Sequence, residues 1–143
     1  MKTKLIVHHS ASPAATTTLD DINLWHREAG FNLSSLGYYI GYHYVIDPSG
    51  KITMTRDVNE IGCHCNAFDA ALNTSYNKSS IGICVMGNFE DEQPTAEQVG
   101  ALTSLITSFQ PILVLGHRDV KDTLCPGKFL YTKVVELRRG SRG

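Results

Sequence analysis

Short apolar runs alternate with segments of helical period along this chain, and the alternation defines its elements. In "KLIVHH" three apolar residues lead into two histidines. Side chains of a strand point alternately to opposite faces. Leu5, Val7 and His9 therefore share one face, and Ile6 and His8 the other. A loop with Ser10, Ser12 and Pro13 follows. In "TLDDINLWHREAG", Thr18 and Asp21 have capping-box spacing, Ile22, Trp25, His26 and Ala29 fall on one stripe, and Gly30 supplies a stop.

"GYHYVIDPSGKITMTRD" reads as a hairpin about the turn Asp47-Pro48-Ser49-Gly50. Alternation predicts Tyr42, Tyr44 and Ile46 on one face, with His43 and Val45 on the other. "SIGICVMGNF" is apolar enough for a central strand buried on both faces. "PTAEQVGALTSLITSFQP" predicts a helix, with Thr95 and Gln98 as capping box and Val99, Leu102, Leu105, Ile106 and Phe109 as its buried stripe. "ILVLGH" is a last strand. A final helix, from about Leu130 to Arg139, turns Val134 and Leu137 inward and ends basic, as the helix dipole favours. The order β, α, β-hairpin, β, α, β, α predicts an α/β (α+β) fold, a central mixed β-sheet flanked by helices. It forms a single domain over residues 1–143, with 136–143 as a frayed tail. In such folds functional groups collect at strand ends and in the loops beyond them.

Charge narrows the function classes. Thirteen basic and fourteen acidic residues give a net charge of −1. That lacks the basic footprint of a nucleic-acid binder and a polybasic membrane patch, so neither partner is expected. The run Leu5-Ile6-Val7 is far shorter than the roughly 7–15 residues of a signal-peptide core. No run approaches the ~18 apolar residues of a membrane span. The expectation is a protein made in a cytoplasm without a signal peptide. Cys63, Cys65, Cys84 and Cys125 are expected as free thiols, because a chain of 143 residues has a core that needs no disulfides. Cys63 and Cys65 are also too close in sequence for an easy bridge.

Three potential ligands then fall at strand ends: His8 after the first strand, His117 after the last, and Cys125 in the loop beyond. They converge if those two strands are neighbours. Three protein ligands with a fourth position left for water is the pattern of catalytic zinc, and two imidazoles with a thiolate suit that ion. Each residue alone has a plainer reading, as a core histidine or a small buried thiol. A thiol hydrolase pairing Cys125 with His117 is a rival, but it leaves His8 and Tyr42 without a role.

Five blocks in order, "IVHHSASP", "GYHYVIDPSGKI", "IGCHCNAFD…NKSSIGICVMGNF", "PTAEQVGAL" and "GHRDVKDTLCPG", resemble the zinc-dependent N-acetylmuramoyl-L-alanine amidases. That family includes phage lysozyme-type amidases and peptidoglycan-recognition proteins. The resemblance runs from about Leu5 to Phe129. It implies one Zn2+ per chain held by His8, His117 and Cys125, and hydrolysis of the amide between N-acetylmuramic acid and L-alanine. It further implies Tyr42 and Thr123 as catalytic hydrogen-bond donors to the tetrahedral oxyanion. His64 falls near the family's groove. His64, His26, Asn77 and Ser80 are candidate contacts to glycan or peptide, and Asp119 is a candidate to orient His117. No Glu or Asp stands at a motif position for the general base. Non-catalytic recognition relatives typically lack the cysteine ligand, so Cys125 separates an enzyme from a binder. The expected partner is bacterial peptidoglycan or muropeptides, and the expected form a monomer. The expected setting is a phage or prophage endolysin held in the host cytoplasm until lysis. The alternatives are a non-catalytic wall-binding module and a cytoplasmic muropeptide-recycling amidase.

Overall fold

The computed structural model describes residues 2–110 and 112–140. Among them, β1 (Lys4–His9), β2 (Tyr44–Ile46), β3 (Ile52–Met54), β6 (Ser80–Val85) and β7 (Leu113–Gly116) form a five-stranded sheet in the order β3-β2-β6-β1-β7. The β2–β3 hairpin is antiparallel and every other pairing is parallel. The helices are α1 (Leu19–Glu28), a single turn α2 (Tyr76–Ser79), α3 (Ala96–Ser108) and α4 (Lys128–Gly140). A two-stranded ribbon, β4 (Phe68–Asp69) with β5 (Thr74–Ser75), lies in a stretch where the sequence pattern predicted no element.

Both faces of the sheet are covered, as parallel strands require. On one face Leu5, Val7, Ile83 and Val85 meet Leu102 and Ile106 of α3 and Leu130 and Val134 of α4. On the other, Val45, Cys84 and Met86 meet Ile22 of α1 and Ile40. All six residues of β6 are buried, which suits its place between β2 and β1. Both predicted capping boxes are present, on Thr18 with Asp21 and on Thr95 with Gln98.

Three expectations need correction. Tyr42 does not share a face with Tyr44 and Ile46: it packs against the α1-side cluster, while they lie in the α3-side core. The His43 carbonyl accepts from both Thr55 and Arg56 N–H, at 2.8 and 3.3 Å. Those two residues bulge the strand that continues β3, while residues 41–43 are bends, so the two-residue alternation of β2 does not extend back to Tyr42. Trp25 is 43% exposed and Ala29 is exposed as well, so α1 buries only Ile22 fully. Its inward line runs through Leu19, Ile22 and His26, at i, i+3 and i+7. The supposed tail is helical as far as Gly140, and Arg138 donates to the Val114 carbonyl and to Asp119, at 2.7 Å each. Residues 141–143 lie outside the described residues.

Arg56 is fully buried, and its guanidinium donates to the Ile40 carbonyl at 3.1 and 3.2 Å and to the Asn32 carbonyl at 2.9 Å. It ties the segment between α1 and β2 to the sheet. The Arg56→Met variant leaves two carbonyls without that donor. Hydrogen bonds to a charged group contribute about 1.5–3 kcal/mol each, so a loss of roughly 3–6 kcal/mol in unfolding free energy is expected by urea titration.

Candidate metal centre

The strand ends meet as the topology requires. β1 and β7 are parallel neighbours with Val7 opposite Gly116. His8 and His117 follow one step later on each strand, and their ring centroids are 4.5 Å apart. After His117 the chain makes one 3-10 turn, His117–Asp119, and doubles back. Arg118 N–H donates to the Cys125 carbonyl at 2.9 Å, which closes the loop and seats the thiol beside the imidazoles. Cys125 Sγ lies 3.7 Å from His8 Nδ1, and ligand atoms of His8, His117 and Cys125 all fall within 4.8 Å of one another. His9 points the other way: its Nδ1 accepts from Phe89 N–H at 3.1 Å.

The donor set fits a borderline-soft divalent ion. His117 Nε2 is buried and has no hydrogen-bond partner among the described residues. His8 Nε2 is engaged by His64 at 2.8 Å, which leaves Nδ1 to face Cys125. Burial holds His8 well below the ordinary imidazole value, helped by the neighbouring His64 and His117. Burial, with Lys121 nearby, lowers His117 to about 4. Burial pushes the Cys125 thiol up to about 12, against the opposing pull of His9 N–H and Arg118. Free of a cation, the triad is therefore two neutral imidazoles and a thiol. A bound cation reverses this logic for the thiol.

A groove of two connected hollows surrounds the triad. One, of about 650 Å³, is lined by His8, Tyr42, Glu90, Thr123 and Cys125. The other, of about 500 Å³, is lined by Phe31, Asn32, Cys63, Asn77 and Lys121, and both share His64 and His117. The Tyr42 ring centroid is 5.1 Å from that of His8. Burial, reinforced by the Cys84 and Cys125 thiols and a hydrogen bond with Cys84, raises its phenol well above the usual 10.0. Thr123 Oγ1 accepts from Cys125 N–H at 3.2 Å, and its own hydroxyl proton is left for the groove.

Of Ser80, Asn77 and His26, only Asn77 lines the groove. Ser80 is fully buried; its hydroxyl donates to the Tyr76 carbonyl and lies 3.4 Å from His64 Nε2. Asn77 Oδ1 accepts from His64 N–H and Cys65 N–H, at 2.9 and 2.8 Å, and so shapes the 63–65 loop. His26 Nδ1 accepts from Gly41 N–H at 2.9 Å, and its ring centroid is 5.3 Å from that of Tyr42. Asp119 does not orient His117: it accepts from Gly116 N–H, Tyr131 and Arg138. Glu90 follows the last residue of its block and Lys121 lies within "GHRDVKDTLCPG" at a position given no role, and only the folded loops bring the two to the groove.

A mixed α/β sheet with a metal-competent triad at the carboxyl ends of two parallel strands defines the class. Comparison with known proteins gives the family. The description N-acetylmuramoyl-L-alanine amidase matches residues 2–128, and the chain belongs to that family of enzymes. It is 28% identical to the endolysin of Enterobacteria phage K11, an alignment covering 98% of this chain and 91% of that one. Among solved structures it is similar to the N-acetylmuramoyl-L-alanine amidase LysC from Clostridium intestinale, with TM-score 0.73 and 26% identity over 95% of this chain and 85% of the other. It is also similar to wild-type Drosophila PGRP-LB, with TM-score 0.75 and 31% identity over 93% and 79%.

Proposed function

We propose that the chain is a zinc-dependent hydrolase of the amide joining N-acetylmuramic acid to L-alanine in bacterial peptidoglycan. It works as a monomer with one zinc ion, as the endolysin of a phage or prophage, and reaches the wall from the host cytoplasm at lysis. The observation that carries the chemistry is the convergence of His8, His117 and Cys125 within 4.8 Å. The near full-length likeness to a phage endolysin supports the setting.

When bound, zinc supplies Lewis acidity to the scissile carbonyl and the attacking water. The remaining steps fall to side chains. Cys125 would hold the ion as a thiolate, its proton passing to solvent. Tyr42 stays protonated, because its phenol is held above the ordinary range, and so remains a donor to the developing oxyanion. Thr123 offers a second hydroxyl from the loop that carries Cys125.

Amino-group release from purified peptidoglycan tests the reading. Phenanthroline is expected to abolish release, and added zinc to restore it. Release that survives chelation but stops on thiol alkylation would instead establish a thiol hydrolase. Zinc loading near pH 7 is also expected to release about one proton per chain, from Cys125, since metal ligands must be deprotonated and both imidazoles already are. Calorimetry in two buffers of different ionisation enthalpy measures that number.

A further inference from the structure

His64 is a third histidine of the site that no ligand set requires, yet the fold makes a close-fitting place for it. It is 8% exposed. A Cβ at Gly82, in the middle of β6, would lie 2.5 Å from its ring, and one at Gly62 would lie 2.6 Å from it. Only glycine at these two positions admits the imidazole. Its main-chain N–H is held by Asn77 at 2.9 Å. The ring cannot serve as a free groove contact, because His64 Nδ1 is 2.8 Å from His8 Nε2 and Nε2 faces Ser80 Oγ at 3.4 Å.

Counting protons along this line fixes its direction. The Tyr76 carbonyl can only accept, so the single Ser80 hydroxyl proton goes to it. Ser80 Oγ is left as an acceptor, and the His64 nitrogen facing it carries the hydrogen. A neutral imidazole has one N–H, and burial among apolar strands disfavours a second. His64 Nδ1 is then bare and accepts from His8 Nε2–H. His8 Nδ1 is bare in turn, and that is the atom facing Cys125 Sγ at 3.7 Å.

We infer that His64, set by Ser80 and the Tyr76 carbonyl, is a positioning residue that locks His8 in the tautomer whose Nδ1 lone pair binds the metal. The inference rests on the zinc reading above. A ligating histidine ordinarily gives its other N–H to a carboxylate, carbonyl or water. Here the acceptor is an imidazole, itself aligned by a serine at the start of β6.

Two measurements test it. The first is long-range proton–nitrogen NMR of the metal-free wild-type chain with 15N-labelled histidine. His8 is expected as the pure Nε2–H tautomer; an Nδ1–H tautomer would overturn the inference without touching the zinc reading. The second is the zinc dissociation constant, by competition with a chromophoric chelator, for wild type, His64→Ala and Ser80→Ala. Loss of such a partner commonly weakens metal binding by about 10–100-fold. His64→Ala is expected in that range, and Ser80→Ala should weaken binding less. A folded His64→Ala with wild-type zinc affinity defeats the proposal. Should His64→Ala fail to fold, Ser80→Ala and the wild-type tautomer decide it. A wild-type chain that binds no zinc would sink both readings together.

Discussion

The Cys125→Ala variant is expected to lose zinc and, with it, all measurable amino-group release from peptidoglycan. The thiolate is the only anionic donor of the triad, and the two imidazoles that remain are neutral. Removing a ligand should cost more than the roughly 10–100-fold in affinity that removing a ligand's hydrogen-bond partner costs. Stability of the metal-free chain should hardly move. The cysteine is only half-buried, and its main packing tie is the His9 N–H to Sγ contact at 3.4 Å. The comparison that decides the reading uses elemental analysis, activity and muropeptide binding on the same preparation. A zinc-free, folded, inactive variant that still binds muropeptide fits a hydrolase whose groove is independent of its metal. Wild-type chain that binds muropeptide and releases no amino groups would make this a recognition module instead.

The triad was legible because its members sit where periodicity ends. His8 follows an apolar run, and His117 closes one. The sequence pattern could not say that the first and last strands are neighbours, since strand order depends on packing between distant segments. The observed order, with β1 between β6 and β7, supplies that step. Local rules transferred well: both capping boxes formed because their partners are three residues apart. Rules that assume uninterrupted geometry failed at Tyr42, where the chain bends over residues 41–43 before β2 begins and the ring packs on the α1 side of the sheet. The polar candidates fared unevenly. Ser80 and Asn77 stood out because they are polar near a site, but Ser80 is fully buried, whereas Asn77 lines the groove and spends its Oδ1 on the backbone. Their partners, the Tyr76 carbonyl and the N–H groups of His64 and Cys65, belong to backbone that only the fold brings into reach. Arg56 and His43 were invisible for the same reason. His43 lies buried between Gly82 N–H and the Glu60 carbonyl, at 3.0 and 2.8 Å.

Tyr42→Phe is expected to reduce kcat by about 10²–10³, the usual effect of losing one preorganised oxyanion donor. Zinc content and melting temperature should stay near wild type. The ring that packs against the α1-side cluster is kept, and the hydroxyl's neighbour in the fold is a thiol, a weak hydrogen-bonding partner. Burial, with Cys125 nearby, pushes Cys84 well above the ordinary thiol value. The hydrogen bond with Cys84 raises the phenol, so the hydroxyl is its donor, and a developing oxyanion is a stronger acceptor than that sulfur for the same proton. The pH profile gives an independent check of the sign. A phenol donates only below its pKa, and this one is raised above 10.0. Wild-type kcat/KM should therefore show no alkaline fall from Tyr42 near pH 10. A decline there that vanishes in Tyr42→Phe would mean that the phenol ionises in the working range and is not held above the ordinary value, although its protonated form would still be the active one. A Tyr42→Phe enzyme with undiminished kcat would remove the phenol from the chemistry and leave Thr123 as the side-chain hydroxyl facing the oxyanion.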